Sequence, residues 1–271
     1  MGRHQYKWAY AVEHALPAMA GWCRLFFTKP VWALRLFRTR VAFFLTRRLT
    51  QPLTTPDQFV IESGHQLVSY WSLFVERECW ARDWLDALAG EPSPLILDVG
   101  ANAGLFTHLI WTKRPDAEFI AFEPLPRMAR KIKEWEVKTS ARLTLYQKGV
   151  SDRSGTATFY ASEEGDPTAS LKPEGPKALQ LTIPIVTLDS VVPVRPILLM
   201  KVDVEGCECE VLAGGKQTVA RTRFLILEAH TPEALDKIQK QLGTGWHSRR
   251  VGASDFLFSR LNEQAERAIP P

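Results

Sequence analysis

A chain of 271 residues, 45% apolar and 24% charged, has the composition of a globular protein, which excludes a disordered or collagen-like chain. The formal net charge of +4 hides a division, because residues 1–50 carry nine Lys or Arg against Glu13 alone, a balance of +8, and the other 221 residues sum to −4. A mildly acidic body excludes a strong nucleic-acid footprint there and leaves the basic arm as the part that would seek phosphate or anionic lipid.

The arm interleaves Trp8, Trp22, Trp32, Phe26, Phe27, Phe37, Phe43 and Phe44 with Arg24, Arg35, Arg38, Arg40, Arg47 and Arg48. Its most apolar stretch, residues 31–45, is shorter than the roughly 20 residues a bilayer span needs and contains three arginines. Glu13, His14 and Pro17 interrupt any secretory signal. At 100° per residue, Leu34, Phe37, Val41, Phe44 and Leu45 gather on one side of a helix while Arg35, Arg40 and Arg47 lie mostly elsewhere; Arg48 and Phe43 break the separation. Three readings stand: an interfacial helix on anionic lipid, a helical pair packed on the body with solvated arginines, and a transit peptide, which the absence of serine from residues 1–50 disfavours. The protein is accordingly expected in the cytoplasm, with peripheral membrane contact through residues 1–50 left open.

Pro52 and Pro56 mark the end of the charge bias, giving an arm at 1–51, a small subdomain at 52–93 and the main domain at 94–271. Within the subdomain, residues 59–68 read as two short β-like runs around Ser63-Gly64. Residues 72–88 read as one amphipathic helix, with Phe74, Val75, Trp84, Leu85 and Leu88 at three- and four-residue spacing before Gly90 and Pro92.

Leu95-Ile96-Leu97-Asp98-Val99 is a short apolar run that meets an acid and then the turn Gly100-Ala101-Asn102-Ala103-Gly104, followed by a helix from Leu105. Strand, glycine turn and helix let a ligand approach bare backbone amides. Asp98 stands where a structural strand end would carry another aliphatic side chain, and suits an ammonium. A second strand ends at Glu123, 23 residues after Gly100, close to the spacing at which a strand-end acid holds ribose hydroxyls. A third run, 143–147, delivers Gly149-Val150-Ser151-Asp152; Asp152 either accepts from an adenine amino group or caps the turn before Gly155.

Residues 156–160 and 181–186 read as an inserted hairpin, with a Gly/Pro loop over 162–177 composed like a lid or an idle surface excursion. Along 197–206, strand alternation places Lys201, Asp203 and Glu205 on one face and Met200, Val202 and Val204 on the other. Ionisable groups on a buried strand point to function. Phe224-Leu225-Ile226-Leu227 ends likewise in Glu228 and His230, and 246–251 with 255–258 read as a closing antiparallel hairpin. Cys23, Cys79, Cys207 and Cys209 are too few and scattered for a disulfide framework and fit no zinc spacing, so a reducing compartment is expected and the thiols are ordinary. Nothing in the spacing of Asp203, Glu228 and His230 demands a metal, and none is expected.

Taken in order, Leu97-Asp98-Val99-Gly100-Ala101-Asn102-Ala103-Gly104, Phe122-Glu123-Pro124, Gly149-Val150-Ser151-Asp152, Thr187-Leu188-Asp189, Lys201-Val202-Asp203-Val204-Glu205-Gly206 and Leu227-Glu228-Ala229-His230 resemble the FkbM family of methyltransferases. The first motif is shared by many S-adenosylmethionine enzymes, whereas the fifth, after a Thr-Leu-Asp motif, is more specific. Cys207 and Cys209 depart from the small residues expected at that helix start. The resemblance implies an α/β fold, a doubly wound Rossmann-like seven-stranded sheet with a reversed last strand, carrying an N-terminal helical extension. It also implies S-adenosylmethionine as cofactor and O-methylation of a hydroxyl on a sugar, lipid or polyketide-like acceptor. Asp98, Gly100, Asn102, Gly104, Glu123 and Asp152 are the expected cofactor residues.

Methyl transfer from a sulfonium is an in-line displacement that depends on alignment and exclusion of water, and a base near the strand ends would remove the acceptor's proton. Asp203, Glu205 and His230 are the candidate catalytic residues; Asp203 could instead contact the methionine portion of the cofactor or orient the acceptor. Two rivals differ in class. A nicotinamide dehydrogenase would use Glu123 equally well, but the turn lacks G-x-G-x-x-G and Asp98 would repel a pyrophosphate. A non-catalytic scaffold that kept the cofactor fold and binds membrane through its arm is the other.

Overall fold

The computed structural model describes residues 19–46, 49, 51–76, 79–161 and 179–260. Trp8, Arg47, Arg48 and the 162–177 loop, on which parts of the sequence reading rest, lie outside them. The chain divides into two compact units, residues 1–80 and 81–271.

In the first unit, the helix Pro30–Thr46 turns Trp32, Ala33 and Leu36 inward. Arg40 lies over the Trp71 ring at 4.3 Å, and Trp71 stacks on Trp22 at 5.9 Å between centroids. Strands β1 (Leu53–Thr54) and β2 (Val60–Ile61) pair antiparallel. The expected second β-run after Ser63 is instead the helix Gly64–Tyr70. Ser63 Oγ accepts from the Gln66 amide at 3.2 Å, and Gln66 Oε1 accepts back from the Glu62 amide at 2.8 Å. This reciprocal cap satisfies the donors that a helix start leaves open, and it outweighs the weak β preference of Leu67-Val68. The single helix expected over 72–88 is also two pieces. A π-helical turn, Trp71–Glu76, and the helix Arg82–Gly90 are separated by Cys79, whose φ of 63° no helix accommodates.

The second unit is built on strands β3 (Leu95–Val99), β4 (Glu118–Phe122), β5 (Arg142–Tyr146), β9 (Ile197–Val202), β10 (Thr222–Glu228), β11 (Trp246–Arg250) and β12 (Asp255–Arg260), ordered β11-β12-β10-β9-β3-β4-β5. Every residue of β3 and β9 is buried, as the continuous apolar runs of central parallel strands require. β5, β4, β3, β9 and β10 run parallel; β12 alone is reversed, pairing antiparallel with β10 and β11. The expected doubly wound seven-stranded sheet with a reversed last strand is therefore the observed one. The inserted hairpin is also present: β7 (Gly155–Ala161) pairs antiparallel with β8 (Leu179–Val186), and β6 (Gly149–Val150) joins β8 in parallel.

One side of the sheet packs Leu97, Val99, Phe122, Met200, Val202, Leu225 and Leu227 into the main core. On the other side, the helices Leu105–Trp111 and Pro126–Thr139 are joined by a buried hydrogen bond, Trp135 Nε1 donating to His108 Nδ1 at 2.9 Å. Asp189, from the Thr-Leu-Asp motif, accepts from the Thr218 amide and hydroxyl and from the Gln217 amide at 2.8–3.0 Å. It thus caps the short helix Lys216–Ala220 and serves the scaffold.

Candidate active site

Strand register decides which residues meet. Val99 lies opposite Phe122 on one side and Val202 on the other, and Val202 lies opposite Leu227. The residues that follow these four, Gly100, Glu123, Asp203 and Glu228, therefore emerge together along the C-terminal edge of the parallel strands, the crevice where open α/β sheets bind ligands. One step back, Asp98 lies directly opposite Lys201, so the two share the same face of the sheet.

Asp98 is 1% exposed. Its Oδ2 accepts from the Thr107 amide at 3.2 Å and the Thr107 hydroxyl at 2.7 Å, which ties the strand end to the helix Leu105–Trp111. Burial pushes its pKa up against the pull of Lys201 and Thr107, and the Asp203 charge adds to the rise. Asp98 thus anchors the first helix with one oxygen, a task the sequence did not announce.

The turn after β3 is held by its neighbours. The Gly100 and Ala101 amides both donate to the Phe122 carbonyl at 3.0 Å, and the Asn102 amide donates to Glu123 Oε2 at 2.8 Å. Gly100, Asn102 and Gly104 all have left-handed backbones, with φ of 82°, 50° and 79°. At Gly100 a Cβ would stand 1.8 Å from the Asp203 carbonyl oxygen, so only glycine lets the β3 turn pass this close to the β9 loop. The approach is sealed by the Asp203 amide donating to the Val99 carbonyl at 2.9 Å.

Glu123 is 5% exposed; its Oε1 accepts from the Leu125 amide at 2.8 Å. Burial raises its pKa to about 7 despite the two amides, and the charges of Asp98 and Asp203 contribute. Asp203 is paired with Lys201, Nζ to Oδ2 2.6 Å. Burial alone would raise Asp203, but Lys201 and its hydrogen-bonding neighbours bring it net below the ordinary carboxylate range. Asp98 and Asp203 thus share the one buried Lys201, and Glu123 adds a third carboxyl near both acids, a negative imbalance suited to a cationic ligand.

The strand expected through Glu205 ends at Val202. Asp203 still falls on the Lys201 side by alternation, but Glu205 is placed by a loop in which Glu205 and Gly206 have φ of 53° and 90°. Glu208 holds that loop, Oε1 accepting from the Gly206 amide at 3.0 Å. Glu205 Oε2 and Glu228 Oε2 lie 3.4 and 3.2 Å from His230 Nε2. The carboxylates of Glu205 first and Glu228 second push the His230 pKa up to about 11, so the imidazole is a cation at neutral pH. Glu228, which the sequence placed at a strand end without a role, is pushed up by burial and by the Asp203 charge. Its Oε1 accepts from Ser254 Oγ at 2.8 Å.

Asp152 is not drawn into this group. Its carboxylate engages Arg153 at 3.2 Å and Ser151 at 3.3 Å, with 45% of its side chain exposed. Its chain neighbours Ser151 and Arg153, not Asp152 itself, line a cleft of about 460 Å³ between the β7–β8 hairpin and the helix Glu208–Ala213, together with Thr156, Thr158, Tyr160 and Glu210.

Comparison with known proteins identifies the family of the domain that carries these residues. The methyltransferase FkbM domain model matches residues 98–257, more than half of the chain. The 2-O-methyltransferase NoeI of Sinorhizobium fredii is 31% identical over 161 residues, 52% of this chain and 65% of its own length. Hexuronic acid methyltransferase AglP of Haloferax volcanii is 30% identical over 178 residues, covering 63% of this chain and 72% of that protein. The 31-O-demethyl-FK506 methyltransferase FkbM of Streptomyces tacrolimicus is 25% identical over 205 residues, covering 63% and 76%. The chain spans just under two thirds of NoeI. From the motif at Asp98 to the reversed strand β12, the chain belongs to the FkbM family of methyltransferases.

Proposed function

We propose that the protein transfers a methyl group from S-adenosylmethionine to a hydroxyl of a sugar, lipid or polyketide-like acceptor. The observation that carries this reading is the emergence of two buried acids, Asp98 and Glu123, and the partly exposed Asp203 around one turn of backbone at adjacent strand ends. The donor set fits the cofactor: Glu123 keeps unused lone pairs for two ribose hydroxyls, and Asp98 and Asp203 offer negative charge to an ammonium and a sulfonium. When bound, that cofactor supplies an electrophilic methyl group. Gly100 and Gly104 keep the turn free of side-chain bulk, and the Asn102 amide ties it to Glu123. Asp152 is the remaining candidate, for the adenine end. The 2-O and 31-O methylations named for NoeI and FkbM support a hydroxyl acceptor, the hexuronic acid of AglP supports a sugar, and the hydroxyls of Thr156, Thr158 and Tyr160 in the cleft suit either.

For the acceptor's proton, Asp203 directly follows β9 and Glu205 lies in the loop beyond it, and His230, cationic between Glu205 and Glu228, orients those carboxylates and balances their charge. Glu228 joins them by position, its Oε2 3.2 Å from His230 Nε2 at the end of the adjacent strand. The test is incubation of the full chain with methyl-labelled S-adenosylmethionine and extracted glycans and polar lipids. Label that survives mild alkali is expected, since an ether resists hydrolysis. Alkali-labile label would indicate a carboxyl acceptor, and cofactor binding without any label would indicate the scaffold; either outcome rejects the proposal.

A second reading concerns the arm, where a specific observation favours membrane contact. No helix among the described residues is long and apolar enough to cross a membrane. On Pro30–Thr46, however, Val31, Leu34, Phe37, Val41, Phe44 and Leu45 are all exposed, opposite the buried Trp32, Ala33 and Leu36. Exposed Arg35 and Arg38 flank that face. An apolar face rimmed by arginine matches an anionic bilayer surface. Flotation with phosphatidylglycerol vesicles is expected for wild type. Burying one large apolar side chain is worth about 1.5–3 kcal/mol, so the double variant Phe37→Ser, Phe44→Ser should lose ~100-fold or more in partitioning. Undiminished flotation of that variant would reject the helix as the contact.

A further inference from the structure

We infer that Glu205, Glu228 and His230 form a binding site for one divalent metal ion of the first transition row. The three residues come from separate places, the loop after β9, the end of β10 and the turn that follows it, and each aims one ligand atom at the same space. Those atoms lie within 4.8 Å of one another. His230 Nε2 is 3.2 Å from Glu228 Oε2 and 3.4 Å from Glu205 Oε2. Ligands held about 2.1 Å from a metal ion stand about 3.0 Å apart at octahedral angles and about 3.4 Å apart at tetrahedral ones, so both separations already suit an ion at their centre.

A second observation comes from Glu228 Oε2. This oxygen is closed off from solvent, with His230 Nε2 at 3.2 Å outside hydrogen-bond alignment and the Asp203 carboxyl beside the same side chain. Three carboxyls, Glu205, Glu228 and Asp203, thus converge on one imidazole, and a metal ion that displaces the imidazole proton would offset the negative charge that a single imidazolium leaves unbalanced. The remaining oxygen of Glu228 is fixed by Ser254, the kind of outer hydrogen bond that holds a metal ligand in orientation. The Glu205 backbone, at φ 53°, is what turns its carboxylate toward the site. One imidazole nitrogen with two carboxylates is a borderline-hard donor set, which favours manganese, iron, cobalt or zinc over calcium. The site lies beside Asp203, where an ion would hold an acceptor oxygen.

The inference concerns metal binding and is read independently of methyl transfer. Mn²⁺ alone is titrated into the chelator-treated full chain, and the free-ion electron paramagnetic resonance signal is followed. Wild type should quench one equivalent. His230→Ala, at a half-exposed side chain, should weaken binding about tenfold or more, as loss of a ligand exceeds the 10- to 100-fold effects of outer partners. Glu228→Gln, which keeps the shape and removes the charge, should do the same. The absence of saturable binding in wild type, or equal affinity in wild type and His230→Ala, would overturn the assignment whether or not the protein transfers methyl groups.

Discussion

Replacing Glu123 with alanine should lower the affinity for S-adenosylmethionine by ~100-fold or more, measured by calorimetry. Hydrogen bonds to a charged group are worth about 1.5–3 kcal/mol each, and a carboxylate that spans two ribose hydroxyls forms two of them. At about 1.4 kcal/mol per tenfold in affinity, the pair accounts for at least two orders of magnitude. Part of the loss passes through the fold, because the Asn102 amide donates to Glu123 Oε2 and the turn loosens without it. A pH series separates the contributions. The carboxyl titrates at about 7 in the cofactor-free protein, so below that pH binding must expel a proton before the ionised group can accept from the ribose. Wild-type affinity should therefore rise with pH, by close to tenfold per unit on the acid side of 7, and level off above it. In Glu123→Ala the profile should be flat over the same range. An alanine variant that binds as tightly as wild type, or a wild-type affinity indifferent to pH between 5.5 and 7.5, would remove Glu123 from the cofactor site.

The second large effect is expected at Gly100. Its added methyl would overlap the Asp203 carbonyl oxygen at 1.8 Å and the carbonyl carbon at 2.8 Å, both backbone atoms that cannot rotate away. The left-handed φ of 82° adds about 1–2 kcal/mol for any side chain, and overpacking about 1–3 kcal/mol more. Gly100→Ala should thus cost ~3 kcal/mol and lower Tm by about 6–12 °C, at 2–4 °C per kcal/mol for a domain of this size. Gly245→Ala, where a Cβ meets nothing within 4 Å, is the control and should stay within about 0.5 kcal/mol of wild type. A Gly100→Ala protein with the Tm of the control would mean that the β3 turn and the β9 loop do not pass as closely as described. The same contact links fold to site, because it brings Asp203 beside Asp98 and Glu123; the variant should lose cofactor binding together with stability.

Much of this arrangement was legible in the sequence because an acid that ends an apolar strand has no bland explanation. Asp98, Glu123, Asp203 and Glu228 each interrupt a run that would otherwise be aliphatic, and the runs alternate with helical stretches as a parallel sheet demands. Where a local capping interaction competed with strand propensity, the pattern misled. The β-like residues after Ser63 form a helix because Ser63 and Gln66 cap it reciprocally, and the S-x-x-Q spacing was the available signal. Similarly, the helix expected over 72–88 is broken at Cys79, and no glycine or proline there announced a left-handed backbone.

What the sequence alone determined was the order of the strands' apolar runs and the identity of the acids at their tips, since both follow from periodicity and from the cost of burying charge. Only the tertiary structure decided which tips meet. Register across β3, β4, β9 and β10 sets Gly100, Glu123, Asp203 and Glu228 along one edge, although they are separated by as many as 128 positions. The bent loop after Val202, and not strand alternation, then brings Glu205 to His230. Proximity of that kind depends on strand pairing and on two residues of left-handed backbone, and neither is written in the spacing of residues along the chain.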